Sequence, residues 1–130
     1  MLLCEDHPLN QEIARALLTE RGMTVTVAPD GRAGVEQFRR SPPGGFDVIL
    51  MDIRMPVMNG YEAARAIRST KRPDAKSIPV IAMTADAFEE DMRRAKDAGM
   101  DDYLAKPVDA NKVYAALTRA FQKQLAAGIE

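Results

Sequence analysis

A chain of 130 residues with 46% hydrophobic and 28% charged residues is the right size for one domain with a real core. Its formal net charge of −1 excludes a broadly basic nucleic-acid surface and a polybasic membrane anchor, so function must reside in a local site. The single cysteine, Cys4, excludes an intramolecular disulfide and a cysteine-built zinc site.

That cysteine usage fits a reducing compartment. No apolar run approaches the roughly 18 residues of a membrane span, and no basic segment followed by an apolar stretch opens the chain. The expected location is the cytoplasm.

Short apolar runs alternate with amphipathic segments along the chain. Leu2–Cys4 is the first run. A helix follows, with Asn10 as a candidate cap, Ile13/Leu17 and Ala14/Leu18 as i, i+4 pairs, and Gly22 at its end. Met23–Ala28 is a β-branched second run, and Asp30–Arg40 a second helix with Val35 and Phe38 inward. Phe46–Met51, reading FDVILM, is the third run. Asn59 can cap a third helix whose buried stripe is Ala63, Ala64 and Ile67. Pro79–Met83 is the fourth run; Glu89 and Glu90 suit the first turn of a fourth helix that ends near Gly99. Tyr103–Ala105 is a short fifth run, followed by a helix over about 109–125 with Val113, Ala116, Leu117, Ala120 and Phe121 at helical spacing. Lys71, Arg72 and Lys76 read as a solvated loop.

Apolar runs of this length suit strands covered on both faces. β–α units in succession imply an α/β fold, a doubly wound parallel sheet with helices on both sides. We expect the flavodoxin-like (βα)5 arrangement with strand order 2-1-3-4-5, an order taken from that general class of sheets. Ligands of such sheets bind beyond the carboxyl ends of the strands, near the switch between strands 1 and 3.

At that rim strand 1 ends in Glu5-Asp6, strand 3 in Asp52, strand 4 in Thr84-Ala85 and strand 5 in Lys106-Pro107. Carboxylates roughly 4 Å apart at an effective dielectric of about 20 repel by about 4 kcal/mol per pair. Such a cluster must protonate or hold a cation. Oxygen ligands without histidine or thiolate favour Mg²⁺, which commonly bridges carboxylates to a phosphate. Asp52 is then a candidate nucleophile, since carboxylates form aspartyl-phosphates. Lys106 and the Thr84 hydroxyl would stabilise charge on the phosphoryl oxygens.

The set ED, MDIRMPVMNG, PVIAMTA and YLAKP, in this order and spacing, resembles the receiver domain of two-component response regulators over essentially the whole chain. The resemblance implies phosphorylation at Asp52 and Mg²⁺ bound by Asp6, Asp52 and the main-chain carbonyl of Arg54, with Glu5 acting through water. It also implies a cis bond before Pro107, and a switch in which Thr84 moves toward the phosphate and Tyr103 turns inward. The positions of Arg54, Ala85 and Asp86 tune hydrolysis in that family. Here the opposite charges of Arg54 and Asp86 could pair across the mouth and prolong the acyl phosphate.

The stretches EDHPLNQEIARALL and MDIRMPVMNGYEAARAIR most resemble receivers attached to hybrid histidine kinases. The implied partners are a histidine kinase or a histidine phosphotransfer domain, with no direct nucleic-acid or membrane contact. The family also allows a phosphorylation-dependent dimer. We expect one receiver domain over 1–130, excised from a larger protein that could be a membrane-bound sensor; a stand-alone regulator is the alternative. The implied output surface is helix 4, strand 5 and helix 5. Such a module catalyses its own phosphorylation and dephosphorylation but serves mainly as a switch.

Other classes fit less well. A haloacid-dehalogenase-type phosphatase needs an acid two residues after its nucleophile, and Arg54 stands there. A flavin carrier would place phosphate where acids line the rim, and the chain has no tryptophan. A receiver-like module that only binds would not need the complete acid set. His7 reads as a loop residue, Cys4 as a small core residue, and Met51, Met55 and Met58 as packing around the site.

Overall fold

The computed structural model describes the backbone of residues 1–85, 89–106 and 109–129, and the side chains of these apart from 110 and 123–129. The elements run β1 (Leu2–Cys4), α1 (Pro8–Glu20), β2 (Thr26–Ala28), α2 (Gly31–Arg40), β3 (Ile49–Asp52), α3 (Gly60–Arg68), β4 (Val80–Thr84), α4 (Glu89–Asp97), β5 (Asp102–Ala105) and α5 (Ala110–Ile129). Every strand pair is parallel, as the alternation of runs and helices predicts, and the order is β2-β1-β3-β4-β5, the one expected from that class of sheets.

Successive strand residues point to opposite faces. Leu2, Cys4, Ile49, Met51, Val80 and Ala82 therefore pack on one side, against Val35 and Phe38 of α2, Ala63, Ala64 and Ile67 of α3, and Ala95 of α4. Leu3, Leu50, Ile81, Met83 and Leu104 pack on the other, against α1 and α5. Burial on both faces is why the strands read as unbroken apolar runs.

Local signals set most boundaries. Asp30 caps α2, its Oδ1 accepting from Ala33 N at 2.8 Å. Asn59 caps α3 in a capping box with Glu62. Gly22 and Gly99 follow α1 and α4 with φ of 86° and 94°. β2 and β3 begin later than the apolar runs, at Thr26 and Ile49, and Thr24 and Asp47 are exposed.

Three details depart from the sequence reading. α1 begins at Pro8, so Asn10 lies inside it; His7 is at the N-cap and its side chain makes no capping bond. Proline suits the first helical position, where its missing N–H costs nothing. The buried stripe of α1 is Ala14 and Leu18 alone, with Ile13 48% exposed, and Phe121 of α5 is also exposed. Arg72 is not solvated. It pairs with Asp74 at 2.6 Å, donates to the carbonyls of Phe38 and Ser41 at the end of α2, and stacks on the Phe38 ring. Lys71 and Lys76 are exposed as expected.

No helix among the described residues is long and apolar enough to cross a membrane.

Candidate acidic phosphoacceptor site

The parallel register delivers the polar residues to one rim. Cys4 pairs with Met51, so Glu5, just after β1, and Asp52, the last residue of β3, emerge side by side. Asp52 pairs with Met83 and Thr84 with Ala105, which brings in the ends of β4 and β5. Lys106 N donates to the Thr84 carbonyl at 2.8 Å, fixing the lysine's exit from β5.

One carboxylate oxygen from each of Glu5, Asp6 and Asp52 lies within 4.8 Å of the others. Lys106 Nζ sits 2.6 Å from Asp52 Oδ2 and 3.5 Å from Glu5 Oε1. The Arg54 backbone N–H donates to Asp52 Oδ1 at 3.2 Å. Glu5, Asp52 and Thr84 are buried, whereas Asp6 and Arg54 are exposed, so the site has a floor and an open mouth.

Electrostatics follow from that packing. Burial pushes the Glu5 carboxyl up to about 7, with the hydrogen bond to Asp52 and its charge acting in the same direction. Burial works to lower Lys106, but the bond to Asp52 and its charge, joined by Glu5, leave the ammonium above its ordinary range. The lysine is thus held charged, as electrostatic stabilisation of a phosphoryl oxygen requires. Glu5 Oε2 is buried and finds no hydrogen-bond partner among the described residues, an acceptor of the kind that a cation or its water would satisfy. A buried acid, an exposed acid and a strand-end acid, all oxygen donors, fit Mg²⁺ rather than a softer metal.

The response regulator receiver domain family matches residues 1–118. The chain belongs to that family. It is 35% identical over 127 residues to hybrid signal transduction histidine kinase I of Dictyostelium discoideum, covering 96% of this chain and 7% of that protein. It is 38% identical over 109 residues to the peroxide stress-activated histidine kinase mak1 of Schizosaccharomyces pombe, covering 83% of this chain and 7% of that protein. The receiver domain thus spans about a tenth or less of the length of these curated relatives. Among solved structures, the receiver domain of sensor histidine kinase PA1611 from Pseudomonas aeruginosa shares 41% identity and a TM-score of 0.80, with 91% of this chain and 93% of that one covered. That protein was crystallised with a magnesium ion coordinated in its active-site cleft. The chemotaxis protein CheY4 of Vibrio cholerae shares 28% identity and a TM-score of 0.83, covering 92% and 95%. This receiver domain is accordingly a phosphoacceptor module of two-component signalling, similar to those carried by histidine kinases.

Glu5, Asp6, Asp52, Arg54, Thr84 and Lys106 lie together at this rim. Tyr103 on β5 is 46% exposed, turned outward. Asp86 and Pro107 lie outside the described residues, and with them the expected Arg54–Asp86 pair and the cis bond. Ala85 is exposed at the end of β4. Met51 and Met55 are buried and Met58 packs on the core, so the methionines are packing residues.

The sequence reading missed three supporting groups. Gln11 Nε2 donates to the Glu5 carbonyl at 2.7 Å, holding the strand-1 rim from α1. Val57 has a φ of 69° at the centre of a γ-turn, in which Met58 N donates to the Pro56 carbonyl at 2.7 Å. Tyr61 is buried at the start of α3 and bonds α4. Nothing local marks Gln11 or Tyr61, and a β-branched residue argues against the positive φ that Val57 adopts.

Proposed function

We propose that Asp52 accepts a phosphoryl group from a phosphohistidine and that the receiver domain thereby switches its α4–β5–α5 surface. The observation that carries this is the acidic corner: Lys106 Nζ 2.6 Å from Asp52, beside a cluster of acid oxygens within 4.8 Å of one another. Asp6, Asp52 and the Arg54 carbonyl would hold Mg²⁺, with Glu5 acting through water. Bound there, the ion supplies charge neutralisation on the equatorial phosphoryl oxygens.

An Asp52 oxygen attacks phosphorus while the phosphorus–nitrogen bond breaks and its electron pair returns to the imidazole. Lys106 leaves its bond with Asp52 for a phosphoryl oxygen, and the Thr84 hydroxyl donates to another. The phosphoryl charge of about −2, in place of the single carboxylate charge, draws both groups inward, and the outward Tyr103 follows. The donor reading rests on the histidine-kinase relatives: a histidine kinase or a phosphotransfer domain is the natural partner, and a stand-alone regulator would bind a target protein instead. Arg54 at the mouth would slow hydrolysis together with Asp86. In support of that, an Arg54→Ala, Asp86→Ala double variant should lose its phosphoryl group faster than the parent, and equal rates would refute the role.

The direct test is incubation with acetyl phosphate and Mg²⁺, read by intact mass. The expected result is a gain of one phosphoryl group, absent in Asp52→Asn and without metal. No gain in the parent protein would favour a module that only binds.

A further inference from the structure

One buried side chain joins the phosphoacceptor strand to α4. Gly60 opens α3 directly against Asp52: its N–H donates to the Ile53 carbonyl at 2.8 Å, and a Cβ there would overlap the Asp52 carbonyl oxygen. The first turn of α3 therefore moves with the end of β3. Tyr61 is the next residue and is 4% exposed. Its hydroxyl donates to the Asp91 carbonyl at 3.3 Å, and the Arg94 guanidinium lies 4.5 Å from its ring centroid. α4 buries only Ala95 of its own residues, so these two contacts weigh heavily in locating the helix. They also border a cleft of about 410 Å³ whose lining includes Asp6 and Arg54. The acidic site and the tether to α4 thus share one space.

We propose that Tyr61 is a positioning residue that transmits the state of the acidic site to α4, by riding on the Asp52–Gly60 backbone at one end and gripping α4 at Asp91 and Arg94 at the other. This rests on the reading of Asp52 as phosphoacceptor. A change in the backbone at Asp52 and Ile53 displaces Gly60, and Tyr61 passes the displacement to the middle of α4. Such coupling needs one element with two positions that the site can bias. The sparsely buried α4 supplies it.

The test is backbone amide NMR of the receiver domain with Mg²⁺, before and after addition of beryllofluoride as a non-covalent phosphoryl mimic. In the parent protein, amides of Asp52, Ile53 and Thr84 and those of Met92, Arg94 and Ala95 should all shift. In Tyr61→Leu the first set should still shift, with mimic affinity within about threefold, while the α4 shifts fall to about half or less. Tyr61→Phe keeps the ring and its stacking but removes the hydroxyl; its α4 amides should exchange roughly fivefold faster in the unliganded protein, with a reduced α4 response. Parent-like α4 shifts in Tyr61→Leu, alongside a normal site response, would overturn the proposal. If that variant does not fold, parent-like α4 shifts and exchange in Tyr61→Phe would overturn it. No site response in the parent protein would overturn the phosphoacceptor reading as well.

Discussion

α3 and α4 have the same length, nine residues each, and pack on the same face of the sheet, yet they are held by different forces. α3 starts on a capping box and buries Gly60, Tyr61, Ala63, Ala64 and Ile67. Its last turn carries Arg68, which donates to the carbonyls of Ala75, Ile78 and Gly99 and pairs with Asp101 at 2.9 Å. α4 buries Ala95 and otherwise relies on acids in its first turn, bases in its last, and the contacts from Tyr61. Apolar burial is worth kilocalories per side chain, whereas exposed charge–dipole contacts are worth tenths. The helix rooted at the phosphoacceptor is therefore anchored, and its neighbour is tethered. A switch needs that difference: one element that follows the site as a unit, and one whose position can change cheaply.

The comparison can be tested from its strongest element downward. Ile67→Ala removes a fully buried side chain from α3 and should cost about 4 kcal/mol of global stability in urea unfolding. α4 offers no apolar side chain of comparable size that is fully buried.

The acidic corner comes next. The folded Glu5 pKa of about 7 stands above the ordinary value of 4.5, so the folded state binds this proton more tightly than the unfolded chain does. Its contribution is complete below the ordinary value and disappears as pH rises through about 7. Without divalent metal, stability should fall across that window, and Glu5→Gln should flatten the decline. Urea midpoints measured in EDTA across the window check this.

Arg68→Ala takes away the anchor that the end of α3 shares with the turn after α4. It removes a donor from the carbonyls of Ala75, Ile78 and Gly99 and one of the donors to Asp101, which keeps its bond from Val80 N, and should cost about 2 kcal/mol, with faster amide exchange around Gly99 and Val80. The smallest effect is Glu90→Lys in the first turn of α4. It should cost about 0.5 kcal/mol, be weakened by salt, and appear as faster exchange confined to α4. An effect that spreads into α3 would show the two helices to be one cooperative unit.

Much of this was legible from local sequence. The strands announced themselves as apolar runs because both faces of the sheet are covered, and Asp30, Asn59, Gly22 and Gly99 marked helix ends because caps and left-handed residues act over three or four positions. Asp52, Glu5, Asp6, Thr84 and Lys106 could be gathered into one site before any coordinates, because parallel strands all deliver their ends to the same rim. Where local signals competed, they misled. Asn10 is a good cap residue, but Pro8 starts the helix earlier. Arg72 looks like a solvated loop cation, yet it closes the end of α2, across 34 residues of chain.

The sequence by itself therefore determined the order of elements, the sheet and the chemical inventory of the rim, since each depends on periodicity, capping and strand polarity. Only the tertiary structure decided which groups bear on one another: Lys106 against Asp52, Gln11 beneath Glu5, Arg68 across two loops, and Tyr61 reaching α4. Those pairings join residues distant in the chain, and the register of strands and the approach of helices set them. The same physical reason separates α3 from α4: what a helix contains can be read from its residues, but how firmly it is held depends on what packs against it.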